Sequence, residues 1–315
     1  MSRVLTSNEL ITSIKRRGSI PTDQRTFSTQ DFLDLLNEEI STGMVPFLLD
    51  THDEYLVHSY DYPIDINQKE YAIPDRAIGN KLRAAMLKDV SGNMLDMTRI
   101  NLEDISMFQN GFKQCEQPFY IQDNKIVLVA PNWNIVGYLR MIFYIRPNEL
   151  VEDKYAGIIT NIDRTTGIIT MSNFPDNFSS IKLFDFLSAG TPNRIYNYDI
   201  PVVATDSNTK SITLNPSNIS PDLKIGDHIC EQGKCIVPLL PTELHPILAQ
   251  KVALTCVEAM GDQEAAALLT RKLQVMETAT TSLIDNRVEN ANQKINPRHR
   301  LIRMNRSSRF GRRIT

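Results

Sequence analysis

The sequence has little cysteine. Cys115, Cys230, Cys235 and Cys256 are too few and too irregularly spaced to make a disulfide framework in 315 residues, so they read as reduced, mostly buried thiols. Long apolar runs are missing too. No stretch approaches the roughly 20 apolar residues that a bilayer-crossing helix needs. The opening MSRVLTSNELITSIKRRG has no apolar core behind its charges like that of a secretion signal. The expectation is synthesis and assembly in a cytoplasm, with no membrane partner. The common catalytic signatures are also lacking: there is no glycine-rich loop followed by Lys and Ser or Thr, no dinucleotide fingerprint, no HExxH helix and no nucleophile elbow. That lowers the enzyme reading, and the expectation is a non-catalytic protein without cofactor or metal.

The rest of the composition is ordinary. Hydrophobic residues make up 42% and charged residues 23%, values of a packed globular chain long enough to bury a full core. The net charge of -3 hides a division. Residues 291–315 hold eight Lys or Arg and no Asp or Glu, and removing those eight leaves the first 290 residues at -11. An acidic body with a basic arm implies an arm that reaches something negative: nucleic acid, a membrane surface or an acidic protein.

Periodicity gives a helical, then β, then helical layout. Ser7 can cap a helix carrying Leu10, Ile11 and Ile14 and ending at Gly18. A second helix starts near Ser28 or Thr29, buries Phe32, Leu35, Leu36 and Ile40, and stops before Gly43 and Pro46. In Tyr71–Leu87 an extended entry into Pro74 meets a stretch of helix formers, so a turn or kink is expected between them. From about 95 to 240, short β-rich runs alternate with Asn, Asp, Gly and Pro. Hairpins are expected around Asp123 and Asn124, around Arg164 and Thr165, around Ser207 and Asn208, and around Gln232 and Gly233. These strands fit either a barrel or a sandwich. Helix returns with Leu244, Leu248, Val252 and Cys256 as an i, i+4 stripe, stopped by Gly261. Asp262 then caps a helix with Leu269, Leu273, Met276, Leu283 and Ile284 on its apolar face.

The fold expected from this order is α+β: a helical bundle built from N- and C-terminal helices, with an inserted antiparallel β domain and a basic extended C-terminal arm. The boundaries are 1–94 for the N-terminal part of the bundle, 95–240 for the β domain, 241–290 for an αα-hairpin and 291–315 for the arm.

Candidate chemistry is sparse. His228, Cys230 and Cys235 could be drawn as three metal ligands, but the spacing is wrong for zinc ribbons. The two cysteines read instead as small hydrophobes facing each other across a hairpin. His52 and His58 sit near Asp50, Asp53, Glu54 and Asp61, a cluster that reads as a solvated strand rim rather than an acid-base site. His245, before Pro246, helps fix a turn. Trp133 is either a contact anchor or the cover of a sheet edge. In the arm, Arg300, Arg303, Arg306, Arg309 and Arg312 repeat every three residues, which lines one side of an extended chain. Leu301, Ile302, Met304 and Phe310 are interleaved with them. Such apolar anchors favour a protein groove over DNA phosphates.

The segments ELITSIKRRGSIPTDQRTFSTQDFLDLLNEE, YAIPDRAIGNKLR, ELHPILAQKVALTCVEAMGD and RVENANQKINPRHRLIR, in this order, give a chain that resembles the head-to-tail connector or adaptor proteins of short-tailed bacteriophages. The resemblance implies a virion structural protein, a ring of usually twelve copies on the portal protein that joins capsid to tail or nozzle proteins and extends the channel through which DNA passes. Carried onto this chain, it places portal docking on Arg298, Arg300, Leu301, Ile302, Arg303, Arg306, Arg309 and Phe310. It places packing within the ring on Leu248, Val252, Leu273 and Met276. The competing expectation is a nucleic-acid-binding protein that uses the same arm.

Overall fold

The computed structural model describes residues 4–21, 26–52, 54–65, 67–109, 117–129, 137–190 and 194–284. Asp53, Cys115, Trp133 and the whole arm lie outside them. Met1–Asp285 forms one compact unit.

In chain order the helices α1 (Ser7–Arg17), α2 (Thr29–Glu39) and α3 (Val45–Thr51) come first, with a π-helical segment, Ile40–Met44, joining the last two. Then follow β1 (Val57–Pro63), β2 (Glu70–Ala72), β3 (Ala77–Asp89), β4 (Met94–Asp96), β5 (Thr98–Arg99) and the short α4 (Ile105–Gln109). The next strands are β6 (Pro118–Gln122), β7 (Lys125–Leu128), β8 (Gly137–Ile145), β9 (Glu149–Leu150), β10 (Gly157–Asp163) and β11 (Ile168–Met171). They are succeeded by β12 (Leu183–Leu187), β13 (Ile195–Asp206), β14 (Ser211–Leu214), β15 (His228–Glu231) and β16 (Lys234–Cys235), and the last elements among the described residues are α5 (His245–Ala259) and α6 (Gln263–Ile284).

The expected helical bundle with an inserted β domain is not what this chain forms. The body is β-rich from Val57 onward. It comprises a four-stranded sheet β1-β8-β3-β4, a second sheet β2-β7-β6-β5, and a closed six-stranded barrel in the order β10-β11-β14-β13-β12-β15. The two sheets share an apolar core of Leu87, Leu139, Met141 and Phe143 against Tyr71, Phe119, Ile126 and Leu128. The barrel is filled by its own side chains, among them Phe178, Phe184, Phe186, Ile212 and Ile229.

The helices make one layer around α5, which packs against α1, α2 and α6. The core of that layer is completed from the β side, by Leu150, Leu187, Ile195, Cys230 and Cys235. Most of the surface of α5 is buried, Ile247, Leu248, Ala249, Val252, Ala253, Cys256 and Val257 among it, and only the side carrying Thr255 and Glu258 is exposed. So wide an apolar surface needs cover from more than one side, and here the β segments supply part of it.

Several local expectations change with the fold. The helix formers of Lys81–Leu87 lie in β3, a strand between β8 and β4. Helix propensity differences amount to only a few tenths of a kcal/mol per residue. Burial of the alternating Ala85 and Leu87 outweighs them. The second helix does not stop before Gly43 and Pro46. It widens into the π turn and resumes as α3, with Pro46 in the first turn, where its missing N–H costs nothing. The α1 cap is Thr6, not Ser7. Thr6 and Glu9 exchange side-chain and backbone hydrogen bonds in a capping box, while the Ser7 hydroxyl donates to the Val151 carbonyl at 2.6 Å. Ser28 and Asp31 form the same box on α2.

The hairpins β6–β7, β10–β11 and β13–β14 pair as the sequence suggests. The fourth does not: the chain turns at Gln232 and Gly233, but β16 pairs in parallel with β9. Two of the turns share one device. Asp163 accepts from the amides of Thr165 and Thr166 and from the Thr166 hydroxyl, and Asp206 does the same with Asn208 and Thr209. Each loop then closes through a residue at positive φ, Gly167 or Lys210.

Candidate functional site

The residues expected to pack a ring lie within the chain's own helical layer. Leu248 and Val252 are buried in it, and Leu273 and Met276 are half-buried against the same core. The expected docking residues Arg298, Arg300, Leu301, Ile302, Arg303, Arg306, Arg309 and Phe310 fall outside the described residues, as does Trp133.

The histidine and carboxylate cluster is dispersed by the period of two in β1. His58, Tyr60 and Tyr62 take one face of the strand and Asp61 the other. Asp61 sits directly across from Arg140 and receives its Nε at 2.6 Å and Nη2 at 2.7 Å, with Lys88 Nζ at 3.1 Å. The Arg140 guanidinium holds Asp61 below the usual carboxylate range. His52 is buried behind the end of α3, while Asp50 and Glu54 are exposed. Cys230 and Cys235 are fully buried in the helical-layer core and do not face each other across a ladder. Burial pushes both thiols up, which keeps them protonated. His245 anchors more than its turn. It accepts from the Leu5 amide on Nδ1 and donates from Nε2 to the Leu240 carbonyl, both at 3.3 Å. That pair of contacts sets its neutral tautomer.

The site that sequence reading did not assemble centres on Arg76, at the entry to β3. Its Nε reaches Asp199 Oδ2 at 2.9 Å, Nη1 reaches Asn148 Oδ1 at 2.8 Å and Nη2 reaches Asp185 Oδ2 at 2.8 Å. Asp185, on β12, is fully buried and also accepts from Asn148 Nδ2 and from the amides of Asp199 and Gly233. Burial alone would lower the Arg76 pKa, but the bonds to Asp199 and Asp185 more than compensate and raise it. One guanidinium thus ties the sheet to the barrel.

The β12–β13 ladder breaks at this point. Its register shifts between Phe184 and Phe186, and Asp199 adopts φ +56°. A bulge of this kind re-aims side chains and carries a cost unless the surroundings hold it. Here it turns the Asp199 carboxylate onto Arg76 and brings the Tyr198 ring 4.9 Å from the guanidinium carbon. Tyr198 in turn meets His58 edge-on at 5.1 Å. Burial pushes the Tyr198 phenol up and the His58 imidazole down, Arg76 adding to the latter, so both stay neutral near pH 7.

Around this network opens a cavity of about 510 Å3. Its walls are His58, Tyr60 and Tyr62 of β1, Pro74, Asp75 and Arg76 before β3, Phe143 and Ile145 of β8, Tyr196, Asn197, Tyr198 and Asp199 of β13, and Gln232. The sequence carries a faint sign of it in HSYDY and YNYD, where aromatics recur every second residue and so share a strand face. Nothing in the linear pattern brings those two strands together. Comparison with known protein families and with curated proteins finds no match to this chain.

Proposed function

We propose that this chain is a non-enzymatic head-to-tail adaptor of a tailed phage, a ring-forming virion protein that docks on the portal through its basic C-terminal arm and continues the DNA channel toward the tail. The observation that carries the reading is the division of charge: an acidic first 290 residues, at -11, and eight cations without an anion in the last 25. An arm of this kind with interleaved Leu301, Ile302 and Phe310 suits a groove on a partner protein. Many identical arms on one ring would bind with an avidity that no single arm has.

A further support is where the resembling segments sit in the body. ELITSIKRRG forms α1 and ELHPILAQKVALTCVEAMGD forms α5, and the two pack on each other although more than 200 residues separate them. Arg17 of α1 donates to Gln250 of α5 at 2.8 Å. The helix that leads into the arm, α6, packs on α5 in the same layer.

The test is native mass spectrometry of the chain mixed with the portal protein of the same phage, comparing full length with a truncation after Asn290. The expected result is a defined ring of full-length chains on the portal and none of the truncated ones. If neither form loads, and the full chain instead binds DNA with an affinity that falls steeply with salt, the nucleic-acid reading replaces this one.

A further inference from the structure

We infer that the cavity between β1 and β13 is a receptor for a cationic side chain, an arginine presented by a basic peptide. Three features of the wall point there.

The first is charge. Asp75 and Asp199 both line the cavity, and Asp185 lies just behind it, whereas Arg76 is the one cation of the wall and is shared between Asp185 and Asp199. The formal balance is negative by two, with Asp75 exposed and Asp199 about one-third exposed. His58, kept neutral, does not offset it.

The second is aromatic surface. Tyr60 and Tyr62 stand side by side on β1 with ring centroids 4.5 Å apart, and Tyr196 and Tyr198 face the cavity from β13. Tyrosine faces beside carboxylates form the environment in which a guanidinium or ammonium gains cation–π attraction as well as ion pairing. The protein already stacks guanidinium groups on this strand: Arg76 lies over Tyr198 at 4.9 Å and Arg194 over Tyr196 at 5.1 Å. A planar guanidinium exploits such a surface better than the compact ammonium of lysine.

The third is an unused acceptor. Asn197 gives its Nδ2 to the Asn218 carbonyl, but its Oδ1 is buried with no hydrogen-bond partner among the described residues. A buried polar atom without a partner pays its desolvation without return. Arginine, which only donates, is the kind of group that such an acceptor in the cavity wall suits. The cavity lies within the size range of ligand pockets, about 300–1,000 Å3.

Two sources offer this chemistry: the chain's own residues 294–312, from the same or another copy, and a basic segment of a partner. The inference deepens the adaptor reading, because it gives a basic arm a place on an acidic body. Its test is separate from portal loading. A fluorescent peptide with the sequence of residues 294–312 is titrated into the full-length chain and followed by anisotropy, beside the same peptide with citrulline for every arginine.

The expected result is binding of the arginine peptide, loss of binding with citrulline, and an affinity about tenfold weaker for Tyr60→Ala and for Asp75→Asn. Both substitutions fall on exposed positions that the core does not need. Equal binding by these variants and the wild type, or by the citrulline peptide, overturns the inference. A full-length variant with Arg300, Arg303 and Arg306 changed to Gln identifies the source. Tighter peptide binding than wild type means that the chain's own arm competes for the cavity, and unchanged binding assigns the cavity to a partner's segment. A chain that loads on the portal but fails the peptide test sinks this inference alone. One that binds the peptide in the cavity but never loads sinks the adaptor reading alone.

Discussion

Asp185 has four hydrogen-bond donors around it and no water-exposed surface, and Arg76 is its one ion-pair partner among the described residues. Arg76→Ala leaves that carboxylate buried without a counterion, and the expected loss of stability is about 3–5 kcal/mol in chemical denaturation. Arg76→Lys should recover only part, because an ammonium cannot span Asp199, Asn148 and Asp185 together. A variant Asp185→Asn in the Arg76→Ala background should regain some of the loss; if it does not, the cost comes from the sheet–barrel contact and not from the stranded charge. His245 makes a second residue-scale prediction. Its folded pKa is depressed by burial to about 4 from 6.5, so between those values the unfolded chain binds the extra proton. The contribution is complete above about pH 6.5 and is lost as pH falls toward 4, by about 3 kcal/mol at most. Thermal unfolding followed across that window should show the midpoint falling with pH, and His245→Gln should flatten the slope. His58 and His228, also lowered by burial, act in the same direction.

Among the elements, the two barrel turns can be tested against each other. Asp163→Ala and Asp206→Ala each remove a side chain that satisfies two backbone amides, and each should cost about 1 kcal/mol. The turns sit at opposite ends of the ladder between β11 and β14, so the double variant should lose close to the sum in urea denaturation. A clear departure from additivity would mean that the turns act through strand register. Such turns were legible in the sequence because Asp, Thr and Gly act over a few residues. The starts of α1, α2, α5 and α6 and the ends of α1 and α5 were legible to within a residue or two for the same reason, whereas the second helix runs on through the π turn at Ile40–Met44 instead of stopping before Gly43. The β3 strand was not, since Lys81–Leu87 reads as helix until β8 and β4 are known to flank it. The site around Arg76 was still less so. It joins residues near 58, 76, 148, 185 and 199, and what made Asp199 part of it is a backbone bulge that no spacing rule announces.

For the molecule as a whole, the charge division was readable by counting, whereas the architecture was not. Helices at both ends and strands between imply a bundle interrupted by a β domain. The chain instead folds as two packed sheets and a closed barrel, with the helices as one layer whose core the β segments help to fill. The difference lies around α5, whose wide buried surface shares its core with Leu150, Leu187, Ile195, Cys230 and Cys235 of the β segments. That same helix has a consequence in time. The helix α1 has its main partner in α5, far along the chain, and the bond from Leu5 to His245 spans 240 residues. At about 5–20 residues per second, the apolar side of α1 is synthesised some 12–50 s before the surface that covers it exists. For that interval Leu10, Ile11 and Ile14 depend on nascent-chain protection rather than on packing, and the rate of translation becomes a variable of how much protein reaches its native state.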